Sequence, residues 1–164
     1  DITNDKEILS DVSGVSTECT ETPVQHLLPS PKFDDHESNR INQEINKLVE
    51  KRVIEMVEYN PQHTLSSIFL TPKRDGSYRL TLNLKKFNRL VVNHHFKMDS
   101  LYTITMLLVP NCFMASIDLK DAHYSVPIKA SDRKLVSFKW KAQIYQYTCL
   151  RNGLSCAPEN FPKY

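Results

Sequence analysis

The residues best suited to chemistry lie in the run Ser116-Ile117-Asp118-Leu119-Lys120-Asp121-Ala122-His123-Tyr124. The apolar stretch 113–119 reads as a buried strand, which carries the Asp118 carboxylate into a cramped, poorly solvated position. A charge there is costly unless it is paired. A divalent cation is one partner, because carboxylates are hard oxygen ligands. A lysine pair or a turn cap is the other, and taken alone the segment favours it. Other arrangements carry less. His94-His95 are adjacent, so on a strand they point to opposite faces and read as a structural pair. Tyr145 and Tyr147 share a strand face and suit either base stacking or core packing. Cys19, Cys112, Cys149 and Cys156 form no CxxC pair, so zinc is not expected and reduced thiols are. Asp34-Asp35 reads as a helix cap, and no nucleophile–histidine spacing is evident. Only three glycines are present, too few for a phosphate-cradling glycine-rich loop.

The elements that must position these residues follow from periodicity. Residues 1–30 are polar and aperiodic and read as a flexible leader. A helix is expected from about 35 to 56, with Ile41, Ile45, Leu48 and Val49 as its apolar stripe and Asp34 or Ser38 as its cap. Asn60-Pro61 breaks the pattern. Residues 67–71 and 78–82 flank Asp75-Gly76, a hairpin signature with Gly76 where a turn needs positive φ. A second helix is expected over 100–108, capped by Asp99. Strands are expected at 134–140 and 144–149 around Lys141-Ala142-Gln143, with a last helix opening at Ser155-Cys156-Ala157-Pro158.

The chain has 164 residues, 40% hydrophobic and 24% charged, enough for one domain with a core. No apolar run approaches the ~18 residues of a membrane span, so no membrane partner is expected. No basic-then-apolar leader argues for secretion, and the start at Asp1 suggests an excerpt of a longer frame. An intracellular setting is expected, cytoplasmic or nuclear. The net charge of +2 hides a split. Residues 1–60 hold 6 basic and 13 acidic side chains (net −7), and residues 61–164 hold 15 and 6 (net +9). A basic block of that size suits a polyanion, although solvated surfaces also look like this.

Several blocks occur in a telling order. They are Ile54-Glu55, then Ser66-Ser67-Ile68-Phe69-Leu70-Thr71-Pro72-Lys73-Arg74-Asp75-Gly76-Ser77-Tyr78-Arg79, then Asn83-Leu84-Lys85-Lys86-Phe87-Asn88. His95-Phe96-Lys97-Met98, Ser116-Ile117-Asp118-Leu119-Lys120-Asp121-Ala122 and Gly153-Leu154-Ser155-Cys156-Ala157-Pro158 follow. From about Val24 to Tyr164 the chain therefore resembles the fingers and first part of the palm of a retrotransposon reverse transcriptase. The likeness is greatest to tyrosine-recombinase-type (DIRS-like) elements, with Ty3/gypsy-like elements next.

The resemblance implies an α+β fold of the right-hand polymerase type. It would have a disordered leader (1–30), a fingers-like region with a β-hairpin (31–112) and an incomplete palm (113–164). It implies RNA-directed DNA polymerase activity, with a primed RNA or DNA template and dNTPs as partners, beside the rest of the palm, a thumb and RNase H. Asp118 would be the first catalytic carboxylate, holding two Mg²⁺ ions together with the Leu119 carbonyl. Lys73 and Arg79 would clamp the triphosphate, and Asp121 and Ala122 would offer it backbone N–H groups. His123 stands where the family usually has Tyr or Phe. Arg151-Asn152 replaces Pro-Phe or Pro-Gln ahead of Gly153, so His123, Asn152 and Gly153 would line the nucleotide. Pro162 interrupts an expected helix. The family's Tyr-x-Asp-Asp pair is not in these 164 residues, so the chain alone is expected not to polymerise DNA. The alternative is a non-catalytic nucleic-acid-binding remnant or a domesticated interaction fragment.

Overall fold

Asp34 opens the first helix, α1 (Asp35–Glu50). The computed structural model describes residues 14–23, 31–73, 76–93, 100–115 and 121–157. The Asp34 carboxylate accepts the Glu37 N–H at 2.7 Å, and the Glu37 carboxylate accepts the Asp34 N–H at 3.1 Å. This reciprocal box satisfies two donors that a bare helix start leaves open, and a cap of this kind contributes about 1 kcal/mol. Ile41, Ile45 and Leu48 are buried, as the stripe requires, and Val49 packs against the core.

The helix is shorter than its pattern suggests. It ends at Lys51, Arg52 takes φ 56°, and strand β1 (Ile54–Val57) replaces the helical turns expected up to residue 56. The reason is long-range: β1 lies antiparallel on β5 (Gln143–Tyr147), pairing Ile54 with Tyr147. A window of local sequence contains no trace of that partner.

The hairpin forms as expected from β2 (Ile68–Pro72) and β3 (Tyr78–Leu82). Gly76 has φ 77°, and its N–H bonds the Lys73 carbonyl while the Lys73 N–H bonds that of Ser77. Strand alternation sends Ile68, Leu80 and Leu82 into the core, and leaves Phe69 and Arg79 on the exposed face. Strand β4 (Ser137–Trp140) completes a three-stranded antiparallel sheet in the order β1-β5-β4. The β4–β5 turn is Lys141-Ala142, with Lys141 at φ 54°, and residues 133–135 coil as a 3-10 turn instead of extending the strand.

Tyr147 is fully buried, and Tyr145 stacks on Phe138 with centroids 5.3 Å apart. Core packing therefore accounts for that tyrosine pair. Between α1, the hairpin and the sheet lies one core, whose largest enclosed members include Phe138, Ile41, Ile54 and Leu150. Each aliphatic side chain so buried contributes roughly 1.5–3 kcal/mol.

Within the stretch expected to be a flexible leader, residues 14–23 lie against the body. Val15 bridges Ile128, Cys19 bridges Val91, and the Asp132 carboxylate accepts both the Ser16 hydroxyl and the Thr17 N–H at 2.8 Å. Helix α2 (Leu101–Leu107) is capped by Ser100, whose hydroxyl accepts the Thr103 N–H, where Asp99 was expected to cap. Phe113, Met114 and Ala115 are exposed and form no strand, so the described part of the expected buried strand 113–119 is not one. A strand exists only through a hydrogen-bonded neighbour, and none of the described residues pairs there. Residues 155–157 make a turn, and the rest of the expected last helix, with Pro162, lies outside the described residues. No described helix is long and apolar enough to cross a membrane.

Candidate nucleotide site

Three pieces of backbone carry the candidate residues: the hairpin, the turn 121–125 and the loop 151–155. Lys73 sits just past β2 and Arg79 sits in β3, both exposed. Arg79 pairs across the hairpin with Thr71. Alternation puts Lys73, Thr71 and Arg79 on one face, the arrangement a two-armed grip on phosphate needs. Next to them, Thr71 and Thr81 hydroxyls bond at 2.9 Å and stiffen that face.

Asp121 begins a 3-10 turn (Ala122–Ser125) from the left-handed region, with φ 57° and ψ 28°. Its side chain is already engaged: Lys51 Nζ lies 2.6 Å from the carboxylate, tying the turn to the end of α1. That hydrogen bond is the main reason the Lys51 ammonium pKa is raised. Ala122 and His123 are half-buried, and the Ala122 carbonyl accepts the Ser125 hydroxyl at 2.6 Å. Asn152 and Gly153 are exposed on a tight loop, where Gly153 has φ 94°.

Arg151 joins the loop to the hairpin and to β5. It is buried, with 4% of its surface exposed. One guanidinium nitrogen donates to the Leu80 carbonyl of β3 at 2.6 Å, and another donates to the Tyr147 hydroxyl. The cation lies 4.6 Å from the Tyr147 ring centre, a favourable cation–π placement. No described carboxylate pairs with it, and its Nε is buried without a partner. Its pKa is lowered to about 10, chiefly by burial; Tyr124 opposes that shift and the Arg79 charge adds to it. Burial in turn pushes the Tyr124 hydroxyl up, against the pull of Arg151. These mutual effects place Arg79, Arg151 and Tyr124 in one electrostatic neighbourhood.

Asn88 supplies a second link. Its amide nitrogen donates to the Gly153 carbonyl at 2.7 Å, and its amide oxygen accepts the Ser155 N–H at 3.1 Å. Arg151 and Asn88 stood in the sequence only as a departure from a motif and as a member of one. The signal that was present is an arginine inside an otherwise apolar stretch, Cys149-Leu150-Arg151 with Leu154 close behind.

Asp118, Leu119 and the His94-His95 pair lie outside the described residues. Among the described residues no group of three acidic, His or Cys side chains is disposed to hold a metal ion. The donors expected to hold Mg²⁺, one carboxylate and one carbonyl, are hard oxygens of the right kind. They are one wall of a site. Mg²⁺ is commonly held by one or two carboxylates, with water and substrate phosphate filling its octahedron. A separate groove of about 680 Å³ includes Met56, Tyr59, Leu65, Gln143 and Ile144 in its walls, and no candidate residue lines it.

Comparison with known proteins adds independent findings. The family model described as Reverse transcriptase (RNA-dependent DNA polymerase) matches residues 71–164. Among curated relatives, the Gag-Pro-Pol polyprotein of sheep pulmonary adenomatosis virus is 29% identical over 106 residues, 60% of this chain and 6% of the relative. The retrovirus-related Pol polyprotein from transposon 412 of Drosophila melanogaster is 22% identical over 131 residues, 75% of this chain and 10% of the relative. The chain thus spans a tenth or less of those polyproteins. A foamy viral protease-reverse transcriptase solved in complex with dsDNA superposes with a TM-score of 0.71 at 21% identity. It covers 86% of this chain and 29% of that one. The same enzyme with an RNA/DNA hybrid gives 0.70 at 21% identity, over 87% of this chain and 19% of that one. The mixed helix-and-strand architecture is therefore a partial reverse-transcriptase fold.

Proposed function

Because the chain belongs to the reverse transcriptase (RNA-dependent DNA polymerase) family, we propose that it forms the fingers and part of the palm of a template-directed nucleotidyl transferase. The observation that carries this reading is the joining of the Arg79 arm of the hairpin to the Asn152–Gly153 loop through Arg151. In this reading Lys73 and Arg79 hold the triphosphate, Asp121 and Ala122 offer it backbone N–H groups, and His123, Asn152 and Gly153 line the sugar and base. Lys51 meets the Asp121 carboxylate, whereas that role falls to the Asp121 N–H. Asp118 and the Leu119 carbonyl hold Mg²⁺, which when bound supplies charge neutralisation at the reacting phosphate. Phosphoryl transfer of this kind is mostly positioning and electrostatics, which suits a site built from backbone and basic side chains.

The partners in this reading are a primed RNA or DNA template, dNTPs and the remainder of the polymerase. The nucleic-acid complexes of the foamy viral enzyme support the first of these. The chain alone does not incorporate nucleotides, since it contributes one carboxylate of the set. In this reading it works inside the cell, in cytoplasm or nucleus. The parent element in this reading belongs with the DIRS-like group, which its motif blocks resemble, with Ty3/gypsy-like elements next. A tyrosine-recombinase module in the same frame would support that grouping, and a retroviral-type integrase in its place would overturn it.

The test has two stages. The 164-residue chain should bind a fluorescent RNA/DNA primer–template, with affinity falling steeply as salt rises. In a frame that also carries the Tyr-x-Asp-Asp segment, primer extension should occur, and Asp118→Asn should reduce it by ~10³-fold or more. Binding without extension in that longer protein would favour the second reading, a non-catalytic nucleic-acid binder, which the +9 balance of residues 61–164 also supports.

A further inference from the structure

Two side chains fix the loop 151–155, Arg151 from within it and Asn88 from outside it. Arg151 reaches inward to the Leu80 carbonyl and the Tyr147 hydroxyl. Asn88, from the segment after the hairpin, grips the loop's backbone at Gly153 and Ser155, on either side of Leu154. Leu154 itself is 2% exposed and anchors the loop's apolar side. The exposed residues Asn152 and Gly153 are thereby suspended between two fixed points.

We propose that Asn88 and Arg151 form a two-point latch that holds the Asn152–Gly153 loop in register with the Arg79 arm, making both of them positioning residues for a bound nucleoside triphosphate. The proposal rests on the nucleotide reading given above. Its physical basis is the chemistry of the two grips. A carboxamide can donate to a carbonyl and accept from an N–H at once, so Asn88 alone matches a loop that presents both. Among the described residues, the buried Arg151 cation is met by a carbonyl, a hydroxyl and a ring face, and no carboxylate pairs with it. Packing alone would not select such a group, since an apolar side chain of similar volume is often as stable or more so. What the guanidinium adds is direction: two donors fixed in one plane, one aimed at the strand that bears Arg79 and one at Tyr147 in β5.

The latch therefore separates stability from nucleotide affinity, as a purely structural contact would not. The 164-residue chain is titrated with Mg²⁺·dTTP in the presence of a primed poly(rA) template. Thermal melting and primer–template affinity are recorded in parallel. Asn88→Asp keeps the size but opposes a carboxylate to the Gly153 carbonyl, and should weaken nucleotide binding about tenfold with template affinity within about twofold. Arg151→Met should melt no lower than the wild type yet bind nucleotide about tenfold more weakly, and Arg151→Lys should recover part of that loss. If Asn88→Asp fails to melt cooperatively, Asn88→Ser, neutral and small, should show the same selective loss.

Equal nucleotide affinity in the wild type and these variants would overturn the latch alone. Parallel loss of stability, template and nucleotide binding would also overturn it, as a contact that merely supports the fold. A wild-type chain that binds template but takes up no nucleotide would sink the nucleotide reading itself, and the latch with it.

Discussion

At the scale of single residues, the clearest lesson is how differently two buried polar groups behave. The Cys149 thiol is raised to about 11 by burial, against an ordinary value of 9.0. An acid raised in this way is stabilised in its neutral form. Its contribution to folding is complete below the unfolded value and fades as pH climbs from about 9 to about 11. Cys149 should resist alkylation at pH 8 while exposed Cys112 reacts within minutes, a difference that mass spectrometry of iodoacetamide-treated protein would read. Arg151 works in the other direction. Its pKa, lowered to about 10, means that the charged form burdens the fold across the neutral range, by roughly 3 kcal/mol. That burden is relieved only above about pH 10, beyond any physiological setting. A residue that weakens the fold yet links three elements is the kind expected at a working site.

Asp132 gives a third case, in which burial raises the pKa but three hydrogen bonds more than offset it. The Thr17 N–H and the Ser131 and Ser16 hydroxyls hold the carboxylate below its ordinary 3.8. The stabilisation is present above the unfolded value and is lost as pH falls through the folded one. Acidification below about pH 4 should therefore release residues 14–19 before the sheet melts, detectable as early amide exchange at Val15 and Thr17. Asp132→Ala should produce the same local release at pH 7.

Elements show where sequence is legible and where it is not. Helix α1 declared its buried face and narrowed its cap to Asp34 or Ser38, because a capping residue and the Ile41, Ile45, Leu48 spacing are local patterns; the structure selects Asp34. The hairpin did too, through Gly76 between two apolar runs. Gly76 has open space around a would-be Cβ, so Gly76→Ala tests backbone strain alone. The loss should be about 1 kcal/mol in urea denaturation, with an unchanged m-value. What failed was the end of α1. Val53, Ile54 and Met56 continue a plausible helical pattern, and only pairing with β5 converts them to strand. The helix stops because Arg52 turns left-handed, a choice that arginine does not announce. The cap of α2 was misplaced by one residue, since Asp99 and Ser100 are both good caps and sequence cannot rank neighbours. Candidate residues on the hairpin, on turn 121–125 and on loop 151–155 were visible through motif order. The bonds that join those pieces were not, because each spans dozens of residues: Arg151 to Leu80 crosses 71 positions and Asn88 to Gly153 crosses 65.

On the scale of the whole molecule, the fold is a set of locally defined pieces closed by distant contacts. The hairpin pairs residues about ten apart, whereas Glu55 and Gln146 meet across 91 positions in the three-stranded sheet. That difference imposes an order on the ribosome. At about 5–20 residues per second, β1 waits roughly 5–20 s after synthesis before its partner strand exists. In that interval Ile54 and its neighbours form an open apolar edge, and the growing chain is a client for any protein that binds such edges. Chains released after residue 142 should show fast amide exchange at 54–57 while 68–82 stay protected, and chains released after residue 150 should protect both. The sheet that anchors the body thus closes long after the hairpin, and only then can the loop 151–155 lock onto both.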